Sequence, residues 1–227
     1  MKKSKIWPLF LVFVLLLAGF AIWDFVKHRR VQEYVFTSPE IPGASLAKVE
    51  TVQAAAFHRL RETLTRRMTA GDVRISVTWN TPEFFRALAA AEGEQDIKRH
   101  ETLYHAYAER FNVHGSLVFT VVMNSDSVDL RAHAVRDKSL LRNDKAISVA
   151  PWQWSEARGS SSRHLEGVLS FPQRTEAGSP LMGHRIGEHL PGESPAVWIE
   201  LVLNGLPSGE EAVFRWDLPS AAQETGS

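Results

Sequence analysis

Apolar residues fill positions 6–23 almost without interruption, with Lys2, Lys3 and Lys5 before them and Asp24 after them. About 18 such residues, each rising about 1.5 Å in a helix, reach roughly 27 Å, close to the hydrocarbon thickness of a bilayer. Trp7 and Trp23 sit near the two ends, where indoles favour the membrane interface, and Pro8 falls in the first turn, where a helix tolerates it. The pattern predicts a transmembrane segment within residues 1–30. Ile22 and Trp23 continue the apolar run past Gly19-Phe20-Ala21, which favours an uncleaved signal-anchor over a cleaved signal peptide. Lys27, Arg29 and Arg30 nearly balance the three leading lysines, and the α-amino group tips the orientation towards a cytoplasmic N-terminus. The main domain is then expected outside the cytoplasm, in the periplasm if the cell is Gram-negative.

Beyond the anchor the periodicity changes three times. Residues 31–45, with Tyr34, Phe36, Pro39, Pro42 and Gly43, read as an extended tether. Val49, Val52, Ala56, Leu60, Leu64 and Met68 recur at three- and four-residue steps, so an amphipathic helix is predicted from Ser45 to about Ala70, ended by Gly71. Val73, Ile75, Val77 and Trp79 then alternate with polar residues as a strand does. Thr81-Pro82-Glu83 opens a helix that stops near Gly93, and a second helix is expected over residues 94–112, with Ile97, Tyr104, Ala108 and Phe111 along one side.

After Gly115 a period of two prevails. Strands are predicted over residues 117–123, 128–134, 147–154, 165–171, 197–203 and 214–218, which with residues 73–79 makes seven. Short alternating strands between polar turns suggest a mainly β protein with some helix: an immunoglobulin-like β-sandwich over residues 72–219 with a helical insertion at 81–113. The preceding residues 31–71 supply the tether and helix, and 220–227 a tail.

Composition narrows the chemistry. Apolar residues are 44% and charged residues 23%, ordinary for a globular chain, and 26 basic residues balance 26 acidic ones. No charge excess points to nucleic acid. The lack of cysteine removes disulfides, thiolate metal sites, a cysteine nucleophile and a lipidated N-terminal cysteine. There is no Walker loop, no G-x-G-x-x-G, no acidic calcium loop and no G-x-S-x-G elbow, so no cofactor is expected.

Weaker signals remain. His100 and His105 flank Glu101 but are five residues apart, about 140° around a helix, which is wrong for a shared zinc ion. His105 and Glu109 have helical spacing but make only two ligands. His184, Arg185, Glu188 and His189 share a long polar segment. Glu210 and Glu211 are adjacent and so point to opposite sides of a strand. Arg59, Arg61, Arg66 and Arg67 make the long helix basic, suited to solvent or to anionic headgroups.

The tryptophans are the main binding candidates. Trp152 and Trp154 fall on one strand face, opposite Ile147, Val149 and Pro151, and Trp198 falls with Glu200 and Val202, opposite Ile199, Leu201 and Leu203. Aromatics on an outward face serve protein recognition; beneath the inserted helices they would be packing. The leading expectation is a membrane-anchored, non-enzymatic interaction module of the cell envelope with an envelope protein as partner. The alternatives are a carrier of a lipid or other apolar ligand, and a hydrolase assembled from distant residues around His133 or His164.

Overall fold

The computed structural model describes residues 52–93, 96–182 and 195–218. All lie in one compact unit that begins at Leu46. Their order is α1 (Val52–Leu64), β1 (Thr65–Ala70), β2 (Val73–Trp79), α2 (Pro82–Gly93), α3 (Ile97–Arg110), β3 (Ser116–Ser125), a 3-10 turn (Leu130–Ala132), β4 (Ser139–Asn143), β5 (Ser148–Val149), β6 (Gln153–Glu156), β7 (His164–Pro172), β8 (Trp198–Leu203) and β9 (Ala212–Asp217). The chain is mainly β, with two antiparallel sheets: β1-β2-β3-β7-β6 and β5-β4-β8-β9.

Alternation along each strand builds the space between the sheets. Val73, Ile75 and Val77 of β2 meet Phe119, Val121 and Met123 of β3, Leu165, Leu169 and Phe171 of β7, and Leu141, Ile199, Leu201, Phe214 and Trp216 of the second sheet in one buried cluster. Each such side chain contributes about 1.5–3 kcal/mol by leaving water. Along one side the sheets are joined by side chains, because Arg66 Nε of β1 donates to Arg215 O of β9 at 2.9 Å. Along the other, the chain passes directly from β5 to β6 through buried Pro151.

The helices form a further layer. Phe57 of α1 meets Phe84 of α2 at 5.2 Å between ring centroids, and Phe85 stacks on Phe111 at 5.3 Å and on Tyr107 at 5.7 Å. Thr78, Val118, Val168 and Ser170 point away from the inter-sheet core yet are buried. On this outer face polar side chains pair with one another: Thr65 with Thr78 at 2.9 Å, and Asn80 with Thr120 at 2.8 Å.

The expected helix to Ala70 ends instead at Leu64, and residues 65–70 form β1. The final helical carbonyls find partners other than a continuing helix. Thr63 Oγ1 donates to Leu60 O, Thr65 Oγ1 to Arg61 O, an Arg66 guanidinium N–H to Thr63 O, and Trp216 Nε1 to Leu64 O, at 2.7, 2.7, 2.7 and 2.8 Å. These bonds satisfy the exposed end of the helix and free β1 to pair with β2.

Two strand assignments also change. Residues 128–134 are not a strand; Asp129 caps the 3-10 turn by accepting from Arg131 N, and Leu130 is fully buried. The strand missing from the pattern is β4, whose Asn143 Oδ1 accepts from Lys145 N and Ile147 N and so folds the β4–β5 turn, with Ala146 at φ 59°. Residues 147–154 are divided between β5 and β6, which belong to different sheets. In α3, capped by Asp96, Tyr104, Tyr107 and Ala108 face inward, whereas Ile97 is 74% exposed. Among the described residues no helix is long and apolar enough to cross a membrane. Residues 6–23 lie outside them, as do the tether and the tail.

Candidate functional site

β6 is the last strand of the five-stranded sheet, paired only with β7 among the described residues. Ala157 N donates to Glu166 O at 2.7 Å. Antiparallel alternation then directs the backbone groups of Gln153 and Ser155 towards β7 and those of Trp154 and Glu156 towards the free side. Just before this edge stands Trp152, 47% exposed, with its N–H held by Ser170 O at 3.0 Å.

The three tryptophans are not brought together. Trp154 pairs with Leu169 and packs against the core from the sheet edge, its indole in the space above Gly167. Trp198 lies on the outer side of β8 in the other sheet, half-buried, with the Arg215 guanidinium 4.7 Å from its ring centroid. Beside it Glu200 binds Arg142 at 2.9 Å and approaches Arg215 at 4.0 Å, and Glu211 lies 3.9 Å from Arg142. Trp152 alone of the three offers a large exposed aromatic surface.

His105 Nε2 lies 3.9 Å from Glu101, and no group of three or more metal-ligating side chains occurs among the described residues. His184 and His189 lie outside them. His164 has an acid partner, Glu166 Oε2 at 3.4 Å from Nε2, but its Nδ1 is bonded to Asn124 Oδ1 at 2.7 Å rather than to a serine. His133 Nε2 is buried without a partner. Burial lowers the His133 pKa, a backbone hydrogen bond at Gly205 opposes that, and Lys138 adds to it. Burial likewise raises Glu166, against the hydrogen bond and charge of His164 and the charge of Arg61.

Sequence reasoning passed over Glu166. His164 and Glu166 stand two apart in a strand, hence on one side of it, which is the signal that could have found the pair. It also passed over a polar groove of about 370 Å³ lined by Thr69, Gly71, Asp72, Arg74, Asp126 and Ser127. There Ser127 Oγ donates to Asp72 at 2.7 Å and Arg74 pairs with Asp126 at 3.1 Å. Its lining suits no apolar ligand.

No family model matches the chain, and no curated protein matches it. Two solved structures are similar in chain path. One is a DUF4426 family protein from Pseudomonas aeruginosa PAO1, at 8% identity and a TM-score of 0.35, covering 69% of this chain and 95% of that one. The other is a novel protein of unknown function from Burkholderia pseudomallei K96243, at 15% identity and a TM-score of 0.42, covering 75% of this chain and 86% of that one.

Proposed function

We propose that this chain is a single-pass membrane protein of the cell envelope whose main domain lies outside the cytoplasm and serves as a non-enzymatic protein-interaction module. The apolar residues 6–23 with their flanking lysines support the anchor. The strand order supports an immunoglobulin-like reading. β2-β3-β7-β6 opposite β5-β4-β8-β9 reproduces the order A-B-E-D opposite C′-C-F-G, with β1 and the helices as additions. Such sandwiches bind partners through strand edges and faces with no catalytic group.

The observation that carries the interaction role is the β6 edge. Outward-turned backbone groups at Trp154 and Glu156 lie beside the exposed indole of Trp152, so an extended partner segment would find main-chain hydrogen bonds and an aromatic anchor together. The test is a photo-crosslinking residue placed at Trp152 in the full chain, with one at exposed Arg131 as control, in intact membranes. A discrete protein adduct from position 152 and none from 131 is expected. A chain recovered in the aqueous fraction, or equal labelling from both positions, overturns the reading. A co-purifying lipid in place of a protein adduct transfers support to the carrier alternative.

A further inference from the structure

The α2–α3 hairpin is closed by one polar pair amid aromatic packing. Phe85 of α2 stacks on Tyr107 and Phe111 of α3. Tyr107 is fully buried, and its phenol O–H donates across to half-buried Glu92 of α2, 2.6 Å from Oε1 and 2.6 Å from Oε2. An ionised carboxylate has about four acceptor sites, and a single phenol hydrogen serves both oxygens here. Among the described residues no cationic side chain forms an ion pair with it. Glu92 is also the penultimate residue of α2, at the helix end where a negative charge is disfavoured. The neutral acid meets neither difficulty.

We propose that Glu92 and Tyr107 form an acid-tightened clasp of the α2–α3 hairpin, which holds the two helices most firmly when Glu92 carries a proton and loosens as its carboxylate ionises. The other groups bearing on Glu92 come from α3. Arg99 favours the charged form by its charge, and His100 packs on the neighbouring Gly93. α1 meets α2 at Phe84, towards the opposite end of that helix. Burial pushes the Glu92 carboxyl up, against the Tyr107 hydrogen bond and the Arg99 charge, in agreement with the geometry. The folded state thus keeps a proton that the unfolded chain has already released. Stability from the clasp is full below the ordinary carboxylate range and lost as pH rises through the folded value.

The test uses the full chain in detergent, with thermal unfolding and amide exchange of residues 82–110 followed from about pH 4.5 to about pH 7.5. Glu92→Gln keeps an acceptor for the Tyr107 hydroxyl and cannot ionise. Its Tm is expected to exceed that of the wild type by about 2–4 °C at the upper end and to match it at the lower end. Exchange in α2 and α3, compared between the two proteins at each pH, is expected to be slower in the variant at the upper end alone. Tyr107→Phe removes the donor and serves if Glu92→Gln does not fold. Its loss of Tm is expected to grow with pH, because a carboxylate needs that hydrogen more than the acid does. A difference from the wild type that stays constant across the range, in either variant, overturns the proposal.

Discussion

The indole of Trp154 occupies the space where a side chain on Gly167 would stand: a Cβ built there lies 2.4 Å from Trp154 Cη2, 2.5 Å from Cζ2 and 2.7 Å from Ser155 O. The last contact is with backbone and cannot turn away. Gly167→Ala is therefore expected to destabilise the domain by about 1–3 kcal/mol, the usual cost of overpacking. Thermal or urea unfolding checks it. Because the two sites touch, the same change is expected to cost less on a Trp154→Leu background. Equal costs on the two backgrounds would place the strain at Ser155 O alone.

Trp216 of β9 is tied to the end of α1 by a polar bond inside an apolar neighbourhood. Its Nε1 donates to Leu64 O at 2.8 Å, and its ring lies 5.3 Å from that of Phe119. Trp216→Phe keeps an aromatic ring but strips the donor from the last carbonyl of α1. A loss of about 1–3 kcal/mol is expected from the unsatisfied group. Amide exchange should rise first at the α1–β1 junction, and uniform acceleration across all the described strands would contradict the local account.

The inter-sheet core was legible because its strands alternate strictly. Residues 73–79 form β2 as expected, and residues 165–171 and 197–203 fall almost entirely within β7 and β8. Ser139–Asn143 was not legible, since Leu140 and Leu141 are adjacent and its polar ends are buried by bonds made elsewhere: Ser139 Oγ to Val135 O and Asn143 Nδ2 to Leu181 O. Residues 65–70 were read as helix because Leu64 and Met68 keep helical spacing; the competing signal is Trp216, distant in sequence, which captures the carbonyl of Leu64. For the tryptophans, two-residue spacing cannot say that Pro151 divides two sheets, nor that Gly167 on another strand leaves room for an inward Trp154.

His133 is expected to make the stability of the domain depend on pH. Burial lowers its pKa below the ordinary histidine value, so the folded state binds a proton less readily than the unfolded chain. Stability is then full above the ordinary range and lost as pH falls below about 6.5. His133→Leu removes the titrating ring and its unpartnered Nε2. The expected result is a Tm profile that declines less on the acid side than the wild type, even if Tm at neutral pH drops through loss of the bond at Gly205. An unchanged acid limb would show that His133 does not govern it.

Trp152 and Trp154, two residues apart, should separate binding from folding. Trp154 packs on the core over Gly167, so Trp154→Ala is expected to destabilise by about 3–5 kcal/mol through the cavity it leaves. Trp152 is 47% exposed, and what it contributes to the fold is a backbone N–H to Ser170 O, which alanine retains. Trp152→Ala is therefore expected to leave stability within about 0.5 kcal/mol. If the β6 edge is the partner site, the same substitution should still cut partner capture about tenfold or more, the scale of an aromatic hot spot. A Trp152→Ala domain of native stability that captures its partner undiminished would move the interaction away from β6. The next surface to mutate would then be that of Trp198, where Arg215 covers the ring and Glu200 holds Arg142.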